Sequence, residues 1–82
     1  MLKIASYPVA KIRVPVKRVK ELDAGKVEAL AHDILENGQT TPIRIRASGD
    51  EYILVEGQHR LEAMRALGEE TILAYLVRAR LH

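Results

Sequence analysis

The apolar positions along the chain fall into two spacings, and the elements follow from them. Val27, Leu30, Ala31 and Ile34 keep the i, i+3, i+4, i+7 series of an amphipathic helix. Asp23 stands where an N-cap is wanted and Asn37-Gly38 where such a helix ends, so a helix is predicted over 23–37. A second helical series, Leu61, Met64 and Leu67 with Ala63 and Ala66 beside it, predicts a helix over 58–67 closed by Gly68. Between the two, Ile43-Arg44-Ile45-Arg46 alternates strictly, as a half-buried strand does, and Tyr52 to Val55 is an unbroken apolar run. Ser48-Gly49-Asp50 separates them and predicts an antiparallel hairpin. Residues 9–14 alternate well enough for a first strand, with Ile12 and Val14 facing inward, and Thr71 to Val77 reads as a last strand. Val16 to Leu22 fits a loop or a short strand equally well, and His32 belongs to the surface of the first helix.

The resulting order is β-α-β-β-α-β, an α/β (α+β) unit. Residues 1–82 read as a single compact domain with its core between 9 and 78. Leu30, Ile34, Ile43, Ile45, Ile53, Val55, Leu61 and Met64 are the expected centre of that core. A hydrophobic fraction of 48% suffices for it, but with no Phe or Trp the core must be built from aliphatic side chains.

The chemistry concentrates where the apolar run stops at Glu56-Gly57. Gly57 reads as a hinge between strand and helix, with Gln58, His59 and Arg60 in the helix's first turn. A first turn carries unpaired N–H groups and the positive end of the helix dipole, which favours a carboxylate there rather than two basic side chains. An anion, most naturally a phosphate, would meet N–H donors, an imidazole and a guanidinium together. Gly57, lacking a side chain, would let it come close, and Gly57→Val is expected to obstruct that approach without necessarily unfolding the domain. The competing reading is a solvated turn in which Arg60 pairs with Glu56 or Glu62. In the predicted topology the loop Gly38 to Pro42 reaches the same end of the hairpin. Gln39, Thr40 and Thr41 are therefore expected across a cleft from Gln58, His59 and Arg60, with an amide and hydroxyls suited to a base or sugar.

Charge adds a second feature. The net charge is only +2, yet Lys11, Arg13, Lys17, Arg18 and Lys20 cluster near the start, with further pairs at Arg44 and Arg46 and at Arg78 and Arg80. Such an arm suits weak, non-specific DNA binding, or it is a solvated strand edge that discourages aggregation. The absence of cysteine excludes disulfide scaffolds, thiol nucleophiles and thiolate metal sites, and His32, His59 and His82 have no zinc-ligand spacing. No apolar run approaches the roughly 20 residues of a membrane helix. The first residues lack a signal-peptide core, so a cytoplasmic protein without membrane association is expected.

Three features together resemble the ParB/sulfiredoxin fold over residues 12–77: the helix ending in Asn37-Gly38, the segment Gly38-Gln39-Thr40-Thr41-Pro42-Ile43, and the box Gly57-Gln58-His59-Arg60. ParB amino-terminal domains, within the ParB-like nuclease superfamily, have a Gly-x-x-x-Pro-Ile segment and a later Gly-Glu-Arg-Arg box that contacts nucleotide phosphates. Sulfiredoxins have Gly-Cys-His-Arg at the box, and related free-serine kinases Gly-His-His-Arg. The resemblance implies a nucleotide-binding module for a nucleoside tri- or diphosphate, with Mg²⁺, in a DNA-associated partition or regulatory protein. Gln58 stands at the sulfiredoxin cysteine, which excludes sulfinic acid reduction, and the helix-turn-helix that follows the amino-terminal domain in ParB is not expected within these 82 residues. Two alternatives stay open: a small phosphotransferase or nucleotide hydrolase, and a structural or interaction module without ligand. For the enzyme, the kinase-like relatives imply an acidic base near the start of the domain, for which Glu21 is the nearest candidate. Glu56 and Glu62 would assist Mg²⁺ through water, or simply pair with Arg60 or Arg65 on the surface.

Overall fold

The computed structural model describes residues 3–19 and 21–78. Its strands are β1 (Ile4–Pro8), β2 (Ile12–Arg13), β3 (Ile43–Ser48), β4 (Glu51–Glu56) and β5 (Thr71–Val77). Its helices are α1 (Val16–Val19), α2 (Ala24–Asn37) and α3 (Gln58–Ala66), and a 3-10 turn covers Val9–Lys11. Lys20, Arg80 and His82, singled out in the sequence, lie outside the described residues. Among the described residues no helix is long and apolar enough to cross a membrane.

Local chemistry closes the two long helices at the glycines that the sequence places after them. The Asp23 carboxylate accepts from the N–H groups of Gly25 (2.9 Å) and Lys26 (3.3 Å), and Gly38 ends α2 at φ 74°. At the far end of α3, Glu69 N–H bonds the Met64 carbonyl and Gly68 N–H the Arg65 carbonyl, both at 3.0 Å, the paired bonds of a Schellman motif. The β3–β4 hairpin turns through Gly49-Asp50, with Gly49 at φ 64°.

The sheet runs β1-β5-β3-β4-β2. β3 pairs antiparallel with β4 and parallel with β5, while β1 lies antiparallel to β5 and β2 parallel to β4. Its inner face carries Ile12, Ile43, Ile45, Leu54, Ile72 and Ala74, and α3 covers it with Leu61, Ala63 and Met64. α2 packs on α3, burying Ile34 and half-burying Val27, Leu30 and Ala31.

Three expectations need correction. A strand over 9–14 is replaced by the 3-10 turn and the two-residue β2, because Pro8 ends an earlier strand that the sequence reading missed. That strand, β1, is held by its ladder to β5 rather than by burial, since four of its five residues are exposed. Val16 to Leu22 is neither strand nor plain loop, since it begins with the turn of helix α1. In β4 the inward residue is Leu54, 2% exposed, whereas Val55 is 38% exposed and Ile53 half-buried. The run Tyr52-Ile53-Leu54-Val55 has no polar alternation to fix its faces; pairing of Leu54 with Ile45, and an irregularity between Arg44 and Ile45, decide them.

Candidate functional site

α3 starts at Gly57 (φ 109°, ψ 34°) with no side-chain cap and no acidic residue in its first turn. Its first intrahelical bond runs from Leu61 N–H to the Gly57 carbonyl at 3.0 Å, so the N–H groups of Gln58, His59 and Arg60 stand outside the helical ladder. They open beside a cleft of about 560 Å³ between the start of α3, the loop before β3, α1 and the ends of β3 and β5.

The cleft brings together Glu56, Gly57, Gln58, His59 and Arg60 from the hinge, Thr41 from the loop and Glu21 from the segment after α1. Gln58 is the one buried polar residue among those described, at 6% exposed. Arg60 is half-buried and makes no ion pair among the described residues: Glu56 faces Arg44, at 3.5 Å from its Nε, and Glu62 bonds Arg65. His59 is tied to the start of the other long helix, its Nε2 accepting from the backbone N–H of Asp23 at 3.0 Å.

Other expected members stand elsewhere. Gln39 is not in the lining, because its amide group donates to the Leu73 carbonyl (2.9 Å) and accepts from the Leu73 N–H (2.7 Å), pinning the loop to β5. Thr40 is exposed and also outside the lining. Glu62 lies on a shallow surface between α2 and α3, and its partner Arg65 donates to the Ile12 carbonyl at 2.8 Å. The space that Gly57 leaves is not open to a ligand. A Cβ there would sit 2.5 Å from Ile43 Cγ2, so the core already fills it. A side chain added at Gly57 therefore presses on Ile43 of the core, so Gly57→Val acts through packing rather than by the expected obstruction of a ligand alone.

The N-terminal basic residues do not form one arm. Lys11 lies in the 3-10 turn, Arg13 is in β2 and pairs with Glu51 at 3.2 Å, and Lys17 and Arg18 sit on α1. Arg18 turns into the cleft, where its guanidinium donates to the Val55 carbonyl. With Arg44 and Arg60 it gives the cleft three guanidiniums against the carboxylates of Glu21 and Glu56. Sequence reasoning missed Arg18, Arg44 and Tyr75 as lining residues. Arg44 was legible as the outward position of an alternating strand, but only the pairing of Arg44 with Glu56 on one side and Tyr75 on the other locates it at the hinge. Among the described residues no three histidines or carboxylates gather as metal ligands.

Comparison with known proteins fits this architecture. The probable chromosome-partitioning protein ParB of Campylobacter jejuni is 36% identical over 62 residues, 76% of this chain and 22% of that protein's length. The crystal structure of sulfiredoxin from Arabidopsis thaliana superposes with a TM-score of 0.83 at 32% identity, covering 94% of this chain and 86% of that one. The C-terminally truncated ParB of Caulobacter crescentus, complexed with CTP-γ-S, superposes at 0.78 with 24% identity, over 98% of this chain and 46% of that one. The chain thus has the ParB/sulfiredoxin-like fold while spanning about a fifth of the curated ParB relative. The model of the ParB N-terminal domain matches residues 2–81, and the chain belongs to that family.

Proposed function

We propose that this chain is a ParB-like module that binds a nucleoside di- or triphosphate in the cleft at the start of α3, within a DNA-associated partition or regulatory protein. The carrying observation is the first turn of α3. Three N–H groups lie outside the helical ladder with no cap and no carboxylate, beside a cleft lined by Arg18, Arg44 and Arg60. A phosphate there accepts hydrogen bonds from the N–H groups of Gln58, His59 and Arg60 and from the Arg60 guanidinium, in the field of the helix dipole. The Thr41 hydroxyl stands at the rim as a donor for sugar or phosphate, and Glu56 is the carboxylate best sited to assist a phosphate-bound Mg²⁺ through water. The CTP-γ-S held by the Caulobacter ParB supports a nucleotide as the ligand class.

Calorimetric titration with nucleoside mono-, di- and triphosphates, with and without Mg²⁺, tests this reading together with the backbone amide shifts of Gly57 to Arg60. Binding that perturbs those amides is expected. Silence at millimolar ligand would reduce the domain to a structural or interaction module.

A second reading, a phosphotransferase, draws on one observation: Glu21 lines the same cleft as Arg60. Such a site needs a base aimed at the acceptor hydroxyl as well as phosphate-holding cations. Transfer of phosphate from the triphosphate to an added hydroxyl acceptor, abolished by Glu21→Gln while binding persists, would favour it.

A further inference from the structure

We infer that Arg44, seated over the Tyr75 ring and loosely held by Glu56, binds the terminal part of a polyphosphate chain and makes the cleft select for phosphate-chain length. This rests on the phosphate reading of the α3 start and adds to it a residue and a specificity.

The geometry comes from three neighbouring strands. Arg44 on β3 is opposite Glu56, the last residue of β4 before Gly57, and level with Tyr75 on β5. Its guanidinium carbon lies 5.7 Å from the Tyr75 ring centroid, and its Nε lies 3.5 Å from Glu56 Oε2. All three residues line the cleft. The chain has three tyrosines and no Phe or Trp, and Tyr7 and Tyr52 are engaged edge to face with each other. Tyr75 is therefore the one tyrosine in the cleft, and a cation rests on it.

A single phosphate is already well served at the cradle by N–H groups and Arg60. A second and third phosphate extend away from the helix start and need a further cation at its side. Arg44 has that position and is exchangeable. The side chains of Arg44 and Glu56 are 48% and 73% exposed, and their long ion pair in water is weak. A terminal phosphate offers Arg44 a stronger, charge-assisted partner than Glu56 does. The ring of Tyr75 keeps the guanidinium at this height through the cation–π contact, so Tyr75 is a positioning residue.

The test uses the whole chain, inorganic phosphate and inorganic tripolyphosphate without Mg²⁺, read by amide shifts at Gln58 to Arg60 and by calorimetry. The unaltered chain is expected to bind tripolyphosphate more tightly than phosphate. Arg44→Gln should weaken tripolyphosphate about tenfold or more, as for a lost charge-assisted bond, and phosphate by far less. Glu56→Gln, which removes the competing carboxylate, should strengthen tripolyphosphate binding with Arg44 intact. If Arg44→Gln lowers both affinities equally, or neither, Arg44 does not read chain length, while the phosphate site itself stands. If the unaltered chain shows no shift with either probe, the phosphate site falls and this inference with it.

Discussion

The Cβ that Gly57 lacks would lie 2.5 Å from Cγ2 and 2.8 Å from Cβ of Ile43, a residue 1% exposed. The hinge is therefore fixed from behind by the core as well as by its left-handed φ of 109°. Gly57→Ala should destabilise the fold by roughly 2–4 kcal/mol, combining the left-handed backbone cost with overpacking. Urea denaturation measures this, and a loss below about 0.5 kcal/mol, the level of a surface substitution, would contradict the close approach.

Arg60 gives the opposite signature. With no ion pair among the described residues, Arg60→Ala should leave stability nearly unchanged and weaken nucleotide binding by about 1.5–3 kcal/mol. Parallel calorimetry and thermal melts separate the two effects. Lost stability with unchanged affinity would return Arg60 to a structural role.

Gln39 belongs to the scaffold. Its amide completes two hydrogen bonds with the backbone of Leu73, so Gln39→Ala should cost about 1–3 kcal/mol of stability by leaving half-buried groups unpaired. Nucleotide affinity, measured where the variant is folded, should hold; a specific affinity loss without destabilisation would put Gln39 back in the cleft.

The faces of β4 are testable by a pair of truncations. Leu54→Ala should cost about 2–5 kcal/mol, and Val55→Ala, at a position 38% exposed, about 1 kcal/mol or less. Equal costs would mean that the register with β3 is not the one described.

DNA binding should be weak. Lys11 and Lys17 are exposed, but Arg13 is paired with Glu51 and Arg18 is turned to the Val55 carbonyl, so among the described residues few cations on this side are free for phosphates. Fluorescence anisotropy with duplexes of differing sequence should find similar low affinities that fall steeply with salt. Tight binding to one sequence at physiological salt would be incompatible with this arrangement.

Much of the fold was legible because periodicity and capping agreed. Asp23, Val27, Ile34 and Gly38 define α2, and Ile43 to Arg46 with Gly49-Asp50 define the hairpin. What escaped has physical causes. β1, with its mostly exposed Ile4-Ala5-Ser6, has no burial pattern, and only β5 makes it a strand. The four apolar residues of β4 carry no parity. The hinge box was visible as a glycine ahead of two basic residues, but the cleft's other wall comes from residues 18, 44 and 75, which the tertiary fold alone assembles.

The bond between His59 and Asp23 limits what the imidazole can do. A ring nitrogen that accepts from a backbone N–H carries no proton, so in this arrangement the proton resides on Nδ1. The ring can thus offer a donor to a bound oxygen, yet it has no lone pair left with which to abstract a proton. To serve as a base it would first have to release the N–H of Asp23, the residue that caps α2. In this fold, proton abstraction by His59 and its tie to the N-cap residue of α2 are mutually exclusive.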